Sequence, residues 1–300
     1  MVPSFVSCHF SCFFTFFPLF FVAQSPLSRS VSQQLLTGIE EELATQGLKL
    51  GSPMFLRIFK IGDQEFVDAD VQYRAGLSKR PQVRWVAGPE AGFSSPTNVI
   101  GNRPNDQTAK LEIWFQPEPQ KPYVLYKRYT VCTYSGKLGP KRKEGDMQSP
   151  EGFYNVVPSA FNPSSSYRLS FNVGYPNTYD RAKRYTGGSV MVHGICGSVG
   201  CFAMSGDIDE IYTIVSTAAM RGQSSIPLHI FPFSMTDENI QSYKPFMPPE
   251  DIEFWTTQLQ PGWKLFHDSG IPPVVAVQAG GYSFLPVAFG AAPPTIIRGN

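Results

Sequence analysis

Apolar residues along this chain fall into short runs separated by long stretches without any period. Residues 5–23 (FVSCHFSCFFTFFPLFFVA) form one such run, free of Lys, Arg, Asp and Glu. Within residues 32–46, Leu35, Leu36, Ile39 and Leu43 recur at helical spacing, with Gly38 as the weak position. Runs rich in β-branched and aromatic residues predict strands at 55–60, Leu111–Phe115, Tyr123–Tyr134, Arg168–Val173, 189–192, Ile226–Phe231 and Val274–Val277. Residues 207–221 predict the clearest helix. Asp207 and Glu210 have capping-box spacing, and Ile208, Ile211, Tyr212 and Val215 follow at i, i+3, i+4 and i+7. Pro248-Pro249 announces a shorter helix, Glu250–Leu259. These elements lack a βαβ rhythm, so the expected fold class is α+β, mainly β, on an antiparallel or mixed sheet.

The stretches between the elements set the expected organisation. Residues 63–109 are Gly/Pro/Asn-rich and read as a loop-rich insertion in one domain spanning 32–284. Residues 285–300 read as a loose tail, and 1–23 as a signal peptide or an anchor, with Val22-Ala23 as a small-residue end. A cleaved leader would mark an exported protein with no stable membrane span. Residues 135–152 read as a loop whose basic run, Lys141-Arg142-Lys143, is either a solvated edge or a substrate-facing one.

Composition narrows the function classes. Charged residues are 16%, well below the usual quarter, while 26 glycines, 27 prolines and 14% aromatics exclude a helix bundle. A hydrophobic share of 42% argues against disorder throughout, and a net charge of +1 gives no bulk-charge argument for a nucleic-acid partner. There are four histidines (His9, His193, His229, His267) and five cysteines (Cys8, Cys12, Cys132, Cys196, Cys201). Without the leader three of each remain. An odd cysteine count argues against a simple disulfide framework: one pair plus a free thiol, or three free thiols, both fit. Cys132, inside a β run, reads as inert core, and His229, in IPLHIFPF, as a packing histidine.

Half of those six residues lie in SVMVHGICGSVGCFAM, residues 189–204. Three readings compete there. Cys196 and Cys201 could be buried small hydrophobes. His193, Cys196 and Cys201 form an H-x2-C-x4-C array that could hold zinc, although a fourth ligand is missing. Or Cys201 is a nucleophile and His193, fixed at a strand end, its base.

The run HGICGSVGCFAM resembles the active-site segment of the YafK-like branch of L,D-transpeptidase (YkuD-type) domains. Residues 125–156, 166–182 and 229–236 extend the resemblance, which resumes at 53–61 and continues to about 284. It implies a YkuD-type β-sandwich-like catalytic domain with a few peripheral helices and no cofactor or metal. It implies Cys201 as thiol nucleophile and His193 as base, the imidazole oriented by the Gly194 carbonyl. It implies Ser198 and Gly200 at the oxyanion loop, and Asn172, Tyr175, Asp180 and Arg181 as substrate-binding residues. The implied partners are peptidoglycan stem peptides and a peptidoglycan-linked envelope protein, in the periplasm or cell envelope. Ser198-Val199-Gly200-Cys201 lacks the second histidine of the usual Ser/Thr-His-Gly-Cys pattern, which puts ordinary cross-linking in doubt.

Overall fold

The computed structural model describes residues 26–62, 72, 74–76 and 109–285. The leader, nearly all of the 63–109 insertion and residues 286–300 lie outside the described residues. In chain order the elements are α1 (Pro26–Thr45), β1 (Met54–Phe59), β2 (Lys110–Phe115), β3 (Val124–Thr130), β4 (Thr133–Tyr134), β5 (Gly152–Val156), β6 (Phe161–Asn162) and β7 (Ser170–Asn172). There follow α2 (Thr178–Ala182), β8 (Met191–His193), β9 (Phe202–Ala203), α3 (Ile208–Met220), β10 (Ile226–Phe231), α4 (Asp237–Tyr243), α5 (Pro249–Phe254), α6 (Gln260–Ser269), β11 (Val274–Gln278) and β12 (Gly281–Leu285). Among the described residues no helix is long and apolar enough to cross a membrane.

Two mixed five-stranded sheets carry the fold, ordered β3-β2-β1-β10-β5 and β4-β9-β8-β7-β6. The α+β class expected from the pattern is the class observed. β1 is central in the first sheet, parallel to β10 and antiparallel to β2. All six of its residues are buried, as expected for a strand covered on both faces. Met54, Leu56 and Ile58 share a core with Phe171, Val192 and Phe202 of the second sheet and with Ile208, Ile211 and Ile214 of α3. On the opposite face Phe55 packs 4.9 Å from Phe266 of α6. There the Arg57 guanidinium lies over the same ring and pairs with Glu112 at 2.7 Å.

Three departures from the expected elements have local causes. The run Tyr123–Tyr134 is two strands, not one. Val131 N–H donates to Ala109 at the first sheet, while Cys132 N–H donates to Ala203 in the second, so the chain changes sheets between them. Gly152 was expected to end the 135–152 loop, and no strand was expected after it, yet Gly152–Val156 forms the edge of the first sheet, against β10. The helix after Pro249 runs on through a π-helical turn, Trp255–Leu259, into α6. Pro261, which lacks an N–H and crowds the preceding turn, explains the wider turn.

Lys60 follows β1 directly and is wholly buried. Its ammonium donates to the carbonyls of Lys137, Gly139 and Ser149 and pairs with Glu151 at 3.0 Å. Glu151 also accepts from Gly139 N–H and from the Trp255 indole. One buried ion pair thus shapes loop 135–151, which runs beneath the candidate site.

Candidate active site

β8 runs parallel to β9, with Val192 opposite Phe202 and His193 opposite Ala203. β7 runs antiparallel to β8, with Ser170 opposite His193 and Asn172 opposite Met191. Side chains alternate across a strand, so Phe171, Val192 and Phe202 enter the core. The other face carries Ser170, His193 and Ala203 in one row and Asn172 and Met191 in the next. Cys201, one residue before β9, extends that second row. His193 and Cys201 are therefore diagonal neighbours on adjacent strands, with backbones roughly 7–8 Å apart.

His193 is buried, with Tyr167 against its ring at a centroid distance of 4.9 Å. Its Nδ1 is bonded to the Gly194 carbonyl. A carbonyl only accepts, so Nδ1 carries the proton in the neutral ring and Nε2 keeps its lone pair. Burial lowers the His193 pKa, against the opposing effect of the Gly194 bond, so the ring is neutral near pH 7. Position 194 admits no side chain: a Cβ would lie 2.9 Å from Arg168 Cβ and 3.0 Å from the Tyr167 carbonyl.

Cys201 is the free thiol among the described cysteines. Its Sγ accepts from Met191 N–H at 3.4 Å. Burial pushes the thiol pKa up, while the Met191 N–H and the charge of Lys141 pull the other way. The thiol also reaches the Ser189 carbonyl, at 3.8 Å. Three serines hold the Gly200–Cys201 segment from behind. Ser198 Oγ donates to the Cys201 carbonyl at 2.7 Å, Ser149 Oγ reaches it at 3.3 Å, and Ser135 Oγ accepts from Gly200 N–H. Ser135 and Ser149 carry no motif signal in the sequence; only their juxtaposition with the loop reveals them.

Several expectations need correction. Gly200 and Ser198 were expected at the oxyanion loop, yet the Gly200 N–H is taken by Ser135 and the Ser198 hydroxyl braces Cys201. Cys132 is not inert core: it is joined to Cys196 by a disulfide. That bond also removes Cys196 from the H-x2-C-x4-C array. The basic run is not a solvated edge throughout, because Lys141 is buried against Asp146 at 2.6 Å and Arg142 pairs with Asp251. Tyr175 is buried, its hydroxyl donating to the Thr186 carbonyl at 3.0 Å rather than facing a substrate. Asp180, only 2% exposed, is the reciprocal cap of α2 with Asn177. Arg181 is exposed, but its guanidinium turns back to the Pro176 carbonyl and Thr178. Asn172 stays in the Cys201 row, half-buried, its Oδ1 accepting from Gly174 N–H. His229, as expected of a packing histidine, is buried 4.6 Å from both Phe55 and Phe153, and its Nδ1 has no partner among the described residues.

The Asp180 correction has a measurable consequence. Burial raises its carboxyl from 3.8 to about 6, against the Asn177 N–H that favours the charged form. The folded state therefore binds the proton more tightly than the unfolded state, and stability is lost as pH rises from about 4 to 6. Urea denaturation across that range is expected to show wild type losing about 3 kcal/mol relative to Asp180→Asn, then a constant difference above pH 6. Parallel curves for the two proteins would contradict this.

Comparison with known proteins fits the site. Residues 113–229 match the model of the YkuD family, described as the L,D-transpeptidase catalytic domain. This segment is similar to L,D-transpeptidase catalytic domains. Over 161 residues, 53% of this chain, it is 45% identical to the protein named putative L,D-transpeptidase YafK in Escherichia coli (strain K12), and equally to that of Escherichia coli O157:H7. The chain spans 64% of the length of these curated relatives, just under two thirds. Among solved structures, a point variant of the helical cell shape determining protein Pgp2 from Campylobacter jejuni matches at 18% identity and a TM-score of 0.34, covering 44% of this chain and 47% of that one. Bd1075 of Bdellovibrio bacteriovorus matches at 17% and 0.25, covering 56% and 73%. Similarity that slight carries no weight for the site. The matched segment contains His193, Cys201 and the serine brace, but begins after β1 and ends inside β10.

Proposed function

We propose that this chain is a cysteine-nucleophile enzyme acting at the diaminopimelate carbonyl of peptidoglycan stem peptides, in the periplasm or cell envelope. The observation that carries this reading is the free Cys201 thiol diagonal to a neutral imidazole whose tautomer is fixed by the Gly194 carbonyl. His193 Nε2 takes the thiol proton as Cys201 Sγ attacks the amide carbon. The tetrahedral intermediate collapses, the amine leaves with the proton returned by His193, and a thioester remains on Cys201. Water then resolves the thioester to a carboxylic acid, or an amine resolves it to a new amide.

With water the enzyme is an amidase that frees an amide-linked envelope protein. The missing second histidine next to Cys201 favours that outcome. With an amine it is a transpeptidase, a reading supported by the name of its 45% identical relatives. Asn172, in the Cys201 row, and the exposed Arg181 are the expected substrate residues that remain near the surface.

The test is mass spectrometry after incubation with a stem peptide amide-linked at diaminopimelate. The expected result is a thioester adduct on Cys201, a released amine and a free carboxylic acid. The rate should form a broad bell with pH. Its acid limb lies below the ordinary imidazole value of 6.5 and its alkaline limb above the ordinary thiol value of 9.0, following the directions at His193 and Cys201. Absence of any adduct on folded protein with a free Cys201 thiol and an intact Cys132–Cys196 bond would sink the proposal.

A further inference from the structure

Residues 194–200 connect the base to the nucleophile, and segment 131–135 grips that connection at both ends. Ser135 holds Gly200 and, at 3.5 Å, Ser198. Three residues earlier, Cys132 is bonded to Cys196. Between them β4 pairs with β9 immediately after Cys201.

Ile195 sits between the clamped Cys196 and Gly194, with φ at 45°. A β-branched residue adopts the left-handed region only under constraint. The Gly194 carbonyl and the Ile195 N–H belong to one planar peptide unit. The dihedral held in that strained region therefore also sets the direction of the carbonyl that fixes the His193 tautomer. Cys196 is exposed and Cys132 half-buried, so a small dithiol can reach the bond.

We infer that the Cys132–Cys196 disulfide is a redox-addressed clamp that positions His193 through the Ile195 peptide, an inference that rests on the catalytic reading above. A dithiol attacks one sulfur of the pair, forms a mixed disulfide and closes on itself. The protein S–S bond breaks and a new one forms in the reductant. Two electrons and two protons pass to Cys132 and Cys196, which end as thiols. Ile195 then relaxes to negative φ, the peptide unit rotates and the Gly194 carbonyl leaves Nδ1. Cys132 and Cys196 are positioning residues, not catalytic ones.

The full chain is compared before and after dithiothreitol treatment, together with Cys132→Ser/Cys196→Ser. Reduction should add two free thiols and lower kcat for the diaminopimelate amide by about 10- to 100-fold with KM little changed. Nitrogen-15 NMR should show His193 as the Nδ1–H tautomer in the oxidised protein and as a mixture after reduction. Ile195→Gly, which tolerates positive φ, should restore most of kcat in the double-serine background. Unchanged kcat and tautomer on reduction would overturn the clamp. So would a loss of kcat without a tautomer change or glycine rescue, which marks the bond as merely structural. A tautomer change in a protein that never turns over stem peptides would sustain the clamp and refute the substrate reading.

Discussion

Cys201→Ala is expected to abolish turnover, lowering kcat/KM by roughly 10⁴-fold or more, because no other group in the Cys201 row can form the acyl intermediate. Cys201 is the free thiol among the described cysteines. Its Sγ is set by the Met191 N–H and its carbonyl by Ser198 and Ser149. The serine bonds go to the backbone, so alanine keeps the loop, and melting should move little. Binding of the stem peptide should also change little, since the lost atom forms its bond only during reaction. Intact mass should show no adduct on the variant. Turnover above roughly a hundredth of wild type would mean that the reaction does not pass through Cys201.

Lys60→Met is expected to cost about 3–5 kcal/mol of stability, a large part of what a domain has to lose. Methionine fills much of the same volume, so the loss is electrostatic. Both partners of the Lys60–Glu151 pair have side chains that are fully buried. Removing the ammonium leaves the carboxylate facing only the Trp255 indole and the Gly139 N–H, and it releases three loop carbonyls. Lys60→Met/Glu151→Leu should recover much of the loss, because an apolar pair of similar volume pays no desolvation. Chemical denaturation of the single and double variants gives the coupling directly. Equal stability of Lys60→Met and wild type would show that the pair contributes nothing. Ser149, whose carbonyl Lys60 holds, also reaches the Cys201 carbonyl, so the single variant should lose activity below its unfolding range.

What the sequence made legible was local. Enrichment in β-branched and aromatic residues identified β1, β2 and β10, and helical spacing identified α3, because each run is five residues or longer. The scarcity of histidine and cysteine drew attention to the segment holding His193 and Cys201, and the resemblance to L,D-transpeptidase domains implied the carbonyl at 194. What stayed hidden depends on distance along the chain. The Cys132–Cys196 bond spans 64 residues, and no spacing rule joins them. Ser135 and Ser149 lie in a stretch that reads as featureless loop. Strands β4, β6 and β9 are two residues long, too short for a pattern to show, whereas the runs 168–173 and 189–192 did mark β7 and β8. Asp180 misled for a different reason: an acidic residue in a motif-like run reads as a ligand, while its burial under Tyr154 and Tyr282 is a tertiary fact.

The place of β1 at the centre of the first sheet bears on how the molecule is made. Its two neighbours, β2 and β10, come from residues 110–115 and 226–231. A chain growing from its N-terminus makes β1 early, and one side of it waits for more than 160 further residues before β10 arrives to pair with it. By then His193 and Cys201 have already been synthesised, yet the core beneath them lacks Ile226, Leu228 and Ile230. Completion of the His193–Cys201 site is therefore a late event in biosynthesis, reached only after β10 has emerged, and the exposed edge of β1 is what a chaperone would have to shield until then.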